Sequence, residues 1–210
     1  MKVDKPSLFS PGSQGVKGLM YSTASNPFKM SEVVGCRMKA SWKRVTKETA
    51  IEVSLETEGS GRGDFETGVE MLDGILAAIA KGAGFEMVVK ARGDIETGDH
   101  HTTEDVGIAL GLALAQVLKK GIGSSIVPSG ECLALAAVRF GEPSFRADLD
   151  LQGAEAGGMS LENFGHFLRA LAYNGRFTLA VRADGGGDRQ KIEAVSTALG
   201  RALKRAAQDA

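Results

Sequence analysis

Apolar and polar residues alternate in several short stretches of this chain, as they do in strands with one buried face. The alternation predicts strands over residues 37–45, 50–57 and 85–91. In the second of these strands Ile51 and Val53 fall on the same side, with a glutamate between them. A half-buried sheet is therefore expected in the first half of the chain.

Two longer stretches have apolar residues three and four positions apart, which is the spacing of an amphipathic helix. They predict helices over residues 69–81 and 104–120, the first with Leu72 on its buried face. Either Thr102 or Thr103 is expected to cap the second helix, because a hydroxyl oxygen before a helix can accept one of its free backbone N–H groups.

The second half of the chain repeats the pattern of the first. Residues 166–178 resemble residues 74–86, and residues 188–195 resemble residues 99–106, so the period is about 90 residues. In both halves a helix is followed by a strand, an Asp-led turn and a helix rich in small residues. This repeat predicts an internally duplicated α+β fold built from two halves of βαβα type.

The N-terminal residues lack any sustained period and hold three of the five prolines of the chain. Residues 1–35 are therefore expected to form an extended arm. Residues 36–207 are expected to form a single duplicated domain, divided into halves at about 36–121 and 122–207.

Composition narrows the classes of function. The 210 residues are 43% hydrophobic and 24% charged, with 25 Lys and Arg against 26 Asp and Glu, giving a net charge of -1. This balance favours neither a nucleic-acid nor a membrane partner, and no apolar run is long enough to span a bilayer. Two cysteines without a CxxC spacing indicate a reduced, cytoplasmic protein. The high count of 28 glycines favours helices that pack backbone to backbone.

The strongest chemical signal is the run Asp-His-His-Thr-Thr-Glu-Asp at residues 99–105. On a helix, His100 and His101 lie four and three residues before Glu104, so the three side chains can converge. Imidazole nitrogen and carboxylate oxygen together suit Mn, Fe, Zn or Ni. The alternative is that both histidines form hydrogen bonds to backbone carbonyls and water.

The run from Gly93 to Gly111, which contains this motif, closely resembles imidazoleglycerol-phosphate dehydratase. Weaker similarities to the family occur, in the family's order along the chain, at Arg44–Ile51, Thr67–Asp73, Pro128–Leu133 and Lys191–Ala194. With the run at 93–111 they extend the resemblance over residues 36–207. The resemblance implies an α+β fold of the ribosomal protein S5 domain 2-like type, with helices packed between two mixed β-sheets. It also agrees with the internal repeat.

The activity implied by the resemblance is a manganese-dependent hydro-lyase that removes water from imidazole glycerol phosphate. In that family two metals, held by histidines and glutamates from both halves, bind the substrate as an imidazolate. The family assembles as a 24-mer of trimers with active sites between subunits. By alignment His100, His101 and Glu104 are expected as metal ligands and Glu48 and Glu193 as catalytic proton carriers, with Mn²⁺ or no metal as the cofactor.

The chain departs from the family at most of the expected imidazoles. Of six expected histidines only the pair in the DHH motif remains. Gly74, Ala180, Arg189 and Gln190 stand at the other four, and Gly82 replaces a further family histidine. Arg189 places a permanent cation where a divalent metal would bind.

The positions expected to bind phosphate have changed as well. Ser124 and Glu142 stand where the family has arginines, and Thr197 stands where it has a lysine. These changes do not favour a small-molecule phosphate substrate, because a carboxylate repels phosphate where a guanidinium would attract it. The remaining histidine, His166, is expected to contact solvent or backbone, with a displaced metal ligand as the alternative.

Three hypotheses remain open. The chain is a divergent member that keeps the fold and the oligomer and has lost the two-metal activity. Alternatively, it is a working lyase with a reduced metal site and a related or different substrate. Thirdly, it is an ordinary dehydratase whose missing ligands come from neighbouring chains.

Overall fold

The computed structural model describes residues 33–34, 37–93 and 98–209. Within those residues it contains two mixed β-sheets, a two-stranded ladder and four helices. Most of the predicted arm, together with Cys36, lies outside the described residues. The part of the arm that is described, Val33–Val34, pairs antiparallel with Arg37 and Met38.

The first half of the chain forms a sheet and two helices. Its strands lie in the order β1-β2-β3-β5-β4; β3 pairs antiparallel with β2 and β5, and β4 runs parallel to β5. The elements are β1 (Val33–Val34), β2 (Arg37–Val45), β3 (Thr49–Glu56), β4 (Gly63–Glu66), α1 (Glu70–Ala83), β5 (Glu86–Gly93) and α2 (His100–Val117).

The second half repeats this topology. Its sheet has the order β6-β7-β11-β8, with β7 antiparallel to β6 and β11, and with β8 parallel to β11. A small β9–β10 ladder precedes the first helix of this half. The elements are β6 (Ile122–Ser129), β7 (Cys132–Phe140), β8 (Ser144–Asp148), β9 (Glu155–Ala156), β10 (Met159–Ser160), α3 (Leu161–Asn174), β11 (Phe177–Asp184) and α4 (Asp188–Gln208). The predicted α+β fold with duplicated halves is confirmed.

The helices lie between the two sheets and join the halves. Helix α2 packs on β2 and β3 and against α3, while α4 packs on β6 and β7 and against α1. Apolar residues of both sheets and all four helices form one buried core. Leu72, predicted on the buried face of α1, is 0% exposed. None of the helices in the described residues is long and apolar enough to cross a membrane.

Glycines allow the helix pairs to approach closely. A Cβ atom added to Gly111 of α2 would lie 2.7 Å from the backbone oxygen of Leu171 in α3. A Cβ atom on Gly82 of α1 would lie 2.7 Å from the backbone oxygen of Thr197 in α4. Backbone-to-backbone packing, predicted from the glycine content, therefore occurs at both helix interfaces.

The boundaries predicted for α2 were wrong. The helix runs over His100–Val117 rather than 104–120, and Asp99 rather than Thr102 or Thr103 occupies the N-cap position. Both threonines lie buried inside the first helical turns. The Asp99 side chain does not cap the helix because it accepts hydrogen bonds from the segment that begins α3.

Candidate functional site

All three histidines of the chain come together where the N-terminal end of α2 meets α3. The ring centroids of His100 and His101 are 5.6 Å apart, and those of His100 and His166 are 4.9 Å apart in an edge-to-face arrangement. His166 also lies 3.6 Å from a carboxylate oxygen of Glu162, one turn earlier on α3. The third histidine therefore contacts the DHH motif rather than solvent or backbone alone.

His100 has partners on both of its ring nitrogens. Nε2 lies 3.7 Å from Oε2 of Glu104, as the i,i+4 spacing predicted. Nδ1 lies 2.8 Å from the amide oxygen of Asn163 on α3. The side chains of His100 and Glu104 are 45% and 44% exposed, so Nε2 faces a region that solvent can reach.

His101 turns away from Glu104. Its Nδ1 lies 3.4 Å from Oε2 of Glu48, which is carried by the turn between β2 and β3. The helical spacing predicted Glu104 as the partner of His101 and was wrong, because Glu48 is distant in sequence and its approach depends on the packing of α2 on the sheet. Two separate imidazole–carboxylate pairs result.

A buried ionic contact holds the Glu48 turn against α2. Arg44 Nε donates to Asp105 at 2.8 Å, and the Thr49 hydroxyl donates to the other carboxylate oxygen of Asp105. Asp105 is only 8% exposed. Because Arg44 and Thr49 flank the turn on both sides, this contact fixes the position of Glu48 relative to His101.

In the second half of the chain, the residues that the repeat aligns with the two histidines have different partners. Arg189, aligned with His100 by the repeat, donates from Nε to Glu193 at 3.0 Å and lies 3.9 Å from a carboxylate oxygen of Glu70 on α1. Gln190 donates to the backbone oxygen of Ser129 at 2.7 Å. The predicted catalytic residue Glu193 is therefore engaged by a guanidinium group.

The turn that leads into α4 also keeps an aspartate. Asp188 accepts backbone N–H groups of Gln152 at 3.1 Å and Gly153 at 2.7 Å. These two donors hold the pKa of the Asp188 carboxyl below its ordinary value of 3.8. Asp188 corresponds in the repeat to Asp99, and both side chains bind the segment that precedes or begins α3.

The other positions at which the resemblance implies a different residue differ in their surroundings. Gly74 faces open space, with no atom within 4 Å of an added Cβ, whereas Gly82 is packed against α4. Ser124 lies on the outer face of the second sheet and Glu142 is exposed in a turn. The Thr197 hydroxyl donates to the backbone oxygen of Glu193 at 2.9 Å.

The predicted ligands do not form one cluster. Across residues 33–34, 37–93 and 98–209, no three His, Cys, Asp or Glu side chains come close enough together to hold one metal ion. Of the predicted set, the structure pairs His100 with Glu104 and His101 with Glu48, and it places Glu193 with Arg189.

Two residues of interest were missed from the sequence. Asn163, 5% exposed, lies on the buried face of α3 and joins His100 to Asp99. Lys191, also 5% exposed, donates to the backbone oxygen of Asp150 at 2.6 Å. A polar residue at a position that helical periodicity makes buried is the signal that could have identified both.

Comparison with known proteins identifies the protein family to which the chain belongs. The sequence profile of the family described as imidazoleglycerol-phosphate dehydratase matches residues 67–203. A protein of that name from Desulforudis audaxviator is 45% identical over 177 residues, which are 81% of this chain and 90% of the relative.

Solved structures agree with the sequence match. The crystal structure of the Staphylococcus aureus dehydratase superimposes with a TM-score of 0.72 at 29% identity, covering 80% of this chain and 98% of that one. The Pyrococcus furiosus structure gives 0.69 at 31% identity, with coverages of 80% and 94%. The chain belongs to the imidazoleglycerol-phosphate dehydratase family, a family of lyases of histidine biosynthesis.

Proposed function

We propose that this chain is a divergent member of the dehydratase family that keeps the fold and has lost the two-metal dehydration. One observation carries the proposal: Arg189 occupies the place of an expected imidazole and is bound to Glu193 and Glu70. A guanidinium group stays protonated at any ordinary pH, so it repels a divalent cation and cannot act as a ligand.

The donors that remain do not fit a centre of two metals. Four of six expected imidazoles are replaced, and the remaining histidine–glutamate pairs face different partners. Loss of even one group that orients a ligand costs roughly 10- to 100-fold in metal affinity or activity. Loss of the four ligands themselves should lower metal affinity and activity still further.

The residues at the expected phosphate-binding positions disfavour the family's phosphate substrate. Ser124, Glu142 and Thr197 supply no positive charge where the family has arginines and a lysine. Glu142 adds a negative charge instead. Binding of a phosphate ester at these positions would therefore lack the charge-assisted hydrogen bonds that such sites use.

A second candidate function is a single-cation site in the first half. His100 lies beside Glu104, and the ring centroids of His100 and His101 are 5.6 Å apart, so imidazole and carboxylate donors of the kind that bind Mn²⁺ lie near one another there. In a working lyase with this reduced site, Glu48 would be the available proton carrier, since Arg189 engages Glu193. The His101→Ala variant should then lose the bound ion.

We also propose that the chain forms homo-oligomers based on trimers, up to the 24-mer of its family. An apolar patch on the outer face of the second sheet supports this: Ile122, Ile126, Leu133 and Leu135 are 61%, 60%, 54% and 39% exposed. The outer face of the first sheet instead carries charged pairs such as Lys43–Glu52. A surface this apolar on one sheet alone favours burial against another copy.

We also propose limits for the domain and a cellular location for the protein. We place a duplicated domain at residues 36–207, preceded by an arm at 1–35, in the cytoplasm. Cys132 is free and buried, and burial raises the pKa of its thiol, which keeps that thiol unreactive. Neither nucleic acid nor membrane is proposed as a partner.

Complementation tests the proposed loss of activity. The chain is expressed in a bacterial strain that lacks its own dehydratase, and growth without histidine is measured beside a known dehydratase as positive control. The proposal predicts no growth, although the protein is present in the soluble fraction. Growth would overturn it and favour the ordinary enzyme with ligands from neighbouring chains.

A further inference from the structure

A buried amide links the Asp-led turn to the first histidine of the DHH motif. Asn163 donates from Nδ2 to Oδ2 of Asp99 at 3.0 Å, and its Oδ1 lies 2.8 Å from Nδ1 of His100. Oδ2 of Asp99 also accepts the backbone N–H of Ser160 at 3.3 Å. Asn163 is 5% exposed, so its side-chain amide is largely shielded from water.

The chemistry of the three groups sets the direction of the chain of hydrogen bonds. A carboxylate only accepts, so Asp99 requires the NH₂ end of the Asn163 amide. The amide oxygen of Asn163 is thereby turned toward His100, and an amide oxygen also only accepts. The hydrogen atom between Asn163 and His100 must therefore belong to Nδ1 of the histidine.

We infer that Asn163 is a positioning residue that holds His100 in the Nδ1–H tautomer, leaving Nε2 with its lone pair toward Glu104. At 3.7 Å the Nε2–Glu104 contact is too long for a hydrogen bond, so it does not compete with this assignment. A ligating histidine commonly donates its other N–H to a carboxylate or carbonyl in this way. The inference deepens the single-cation candidate, on which its consequence for metal binding rests.

The competing explanation is that the Asn163 hydrogen bonds only hold α2 and α3 together. They would then contribute to stability but would place no requirement on the ring protons of His100. The tautomer of His100 in the metal-free protein therefore separates the two explanations, and it can be measured whether or not a metal binds.

The test is a long-range proton–nitrogen correlation spectrum of the full chain, labelled with ¹⁵N-histidine and free of metal, at mildly alkaline pH where imidazoles are neutral. The chain has only three histidines, so a His100→Ala spectrum identifies the signals of this ring. We expect a protonated Nδ1 and a bare Nε2 in the wild type. We expect the Nε2–H tautomer, or a mixture, in Asn163→Leu.

Asn174→Leu is the matched control, because Asn174 lies on the same helix and donates to the backbone oxygen of Ala170 at 2.8 Å. It should leave the His100 signals unchanged. If Asn163→Leu does not fold, the Asn163→Ala variant removes the same amide and introduces a smaller side chain. A wild-type ring protonated on Nε2, or an Asn163 variant that keeps Nδ1–H, would overturn the inference.

Titration with Mn²⁺ then separates this inference from the proposed site. If the single-cation site exists, the Asn163 variant should bind Mn²⁺ roughly 10- to 100-fold more weakly than wild type. Wild-type protein that binds no Mn²⁺ would reject the metal candidate, while the tautomer result would still decide the role of Asn163.

Discussion

The Nε atom of Arg189 lies 3.0 Å from Oε1 of Glu193, whereas the repeat-related pair in the first half is His100 with Glu104 at 3.7 Å. The glutamate is kept in both halves and only its partner differs. One half thus presents an imidazole ring beside the glutamate, and the other presents a fixed cation. The duplicated fold is preserved while its two ends have diverged chemically.

Adding histidines at the four positions where the resemblance leads us to expect them should increase metal uptake. The combined variant Gly74→His, Ala180→His, Arg189→His and Gln190→His replaces the cation and adds nitrogen donors; Gly74 has open space for a side chain. More Mn²⁺ per chain than in the wild type is expected by mass spectrometry. The same variant with Arg189→Lys keeps the cation and should gain less. Equal uptake by both would show that a cation at position 189 is not what excludes the metal.

Removing the Asp105 carboxylate should destabilise the protein and displace Glu48. The Asp105→Ala variant leaves Arg44 and Thr49 without their acceptor, at a cost of about 1–3 kcal/mol in the free energy of unfolding. Denaturant unfolding measures this cost. Glu52→Ala, which breaks an exposed pair with Lys43 on the same sheet, should change stability far less. Equal effects would mean that the Asp105 contact does not anchor the turn.

The helix interfaces predict opposite effects for two glycine substitutions. Gly111→Ala places a methyl group against the backbone of α3, so the free energy of unfolding should fall by about 1–3 kcal/mol. Gly74→Ala faces open space and should raise it by roughly 0.5–1 kcal/mol through helix propensity. Thermal or denaturant unfolding of both variants decides the matter. A neutral Gly111→Ala would contradict the close approach of α2 and α3.

Asp188 predicts a specific dependence of stability on pH. Its pKa is lowered in the folded state because two backbone N–H groups favour the charged form. The resulting stabilisation is present above the ordinary pKa of 3.8 and is lost as pH falls through the lower folded value. Unfolding measured across this acidic range should show a shallower decline for Asp188→Asn. Asp148→Asn, at the exposed pair with Arg182, is the control.

The apolar patch on the second sheet predicts an effect on assembly. Ile126 and Leu135 lie opposite each other on β6 and β7 with their side chains outward. The Ile126→Glu variant places a charge at the centre of the patch and should lower the mass measured by light scattering. Lys43→Glu on the outer face of the first sheet should not. A wild-type monomer of 22.0 kDa would contradict the proposed oligomer.

Clear alternation predicted strands β2, β3 and β5 from the sequence, whereas β6 and β7, which alternate as well, were not predicted. Strand β2 begins and ends where the alternation does, at Arg37 and Val45. The edge strands β4 and β8 were missed because they are short and mostly exposed, so neither shows alternation. Short exposed strands are defined by their neighbours in the sheet rather than by their own sequence.

The contacts of the candidate site were predicted from the sequence only in part. The i,i+4 spacing correctly paired His100 with Glu104, because that contact is local to one helix. The pairing of His101 with Glu48 and the hydrogen bond from His100 to Asn163 join distant segments. Such contacts depend on how α2 packs against the sheet and α3, which no local pattern encodes.

The metal content of the wild-type chain, purified without chelator and offered Mn²⁺, tests the central claim most directly. Mass spectrometry of the metal and a protein assay give the number of ions per chain. The proposed replacement of four expected imidazoles, one of them by Arg189, predicts less than one tightly bound ion per chain, and at most the single weak site of the first half. Two ions per chain would contradict the account and show that the family's two-metal centre still forms.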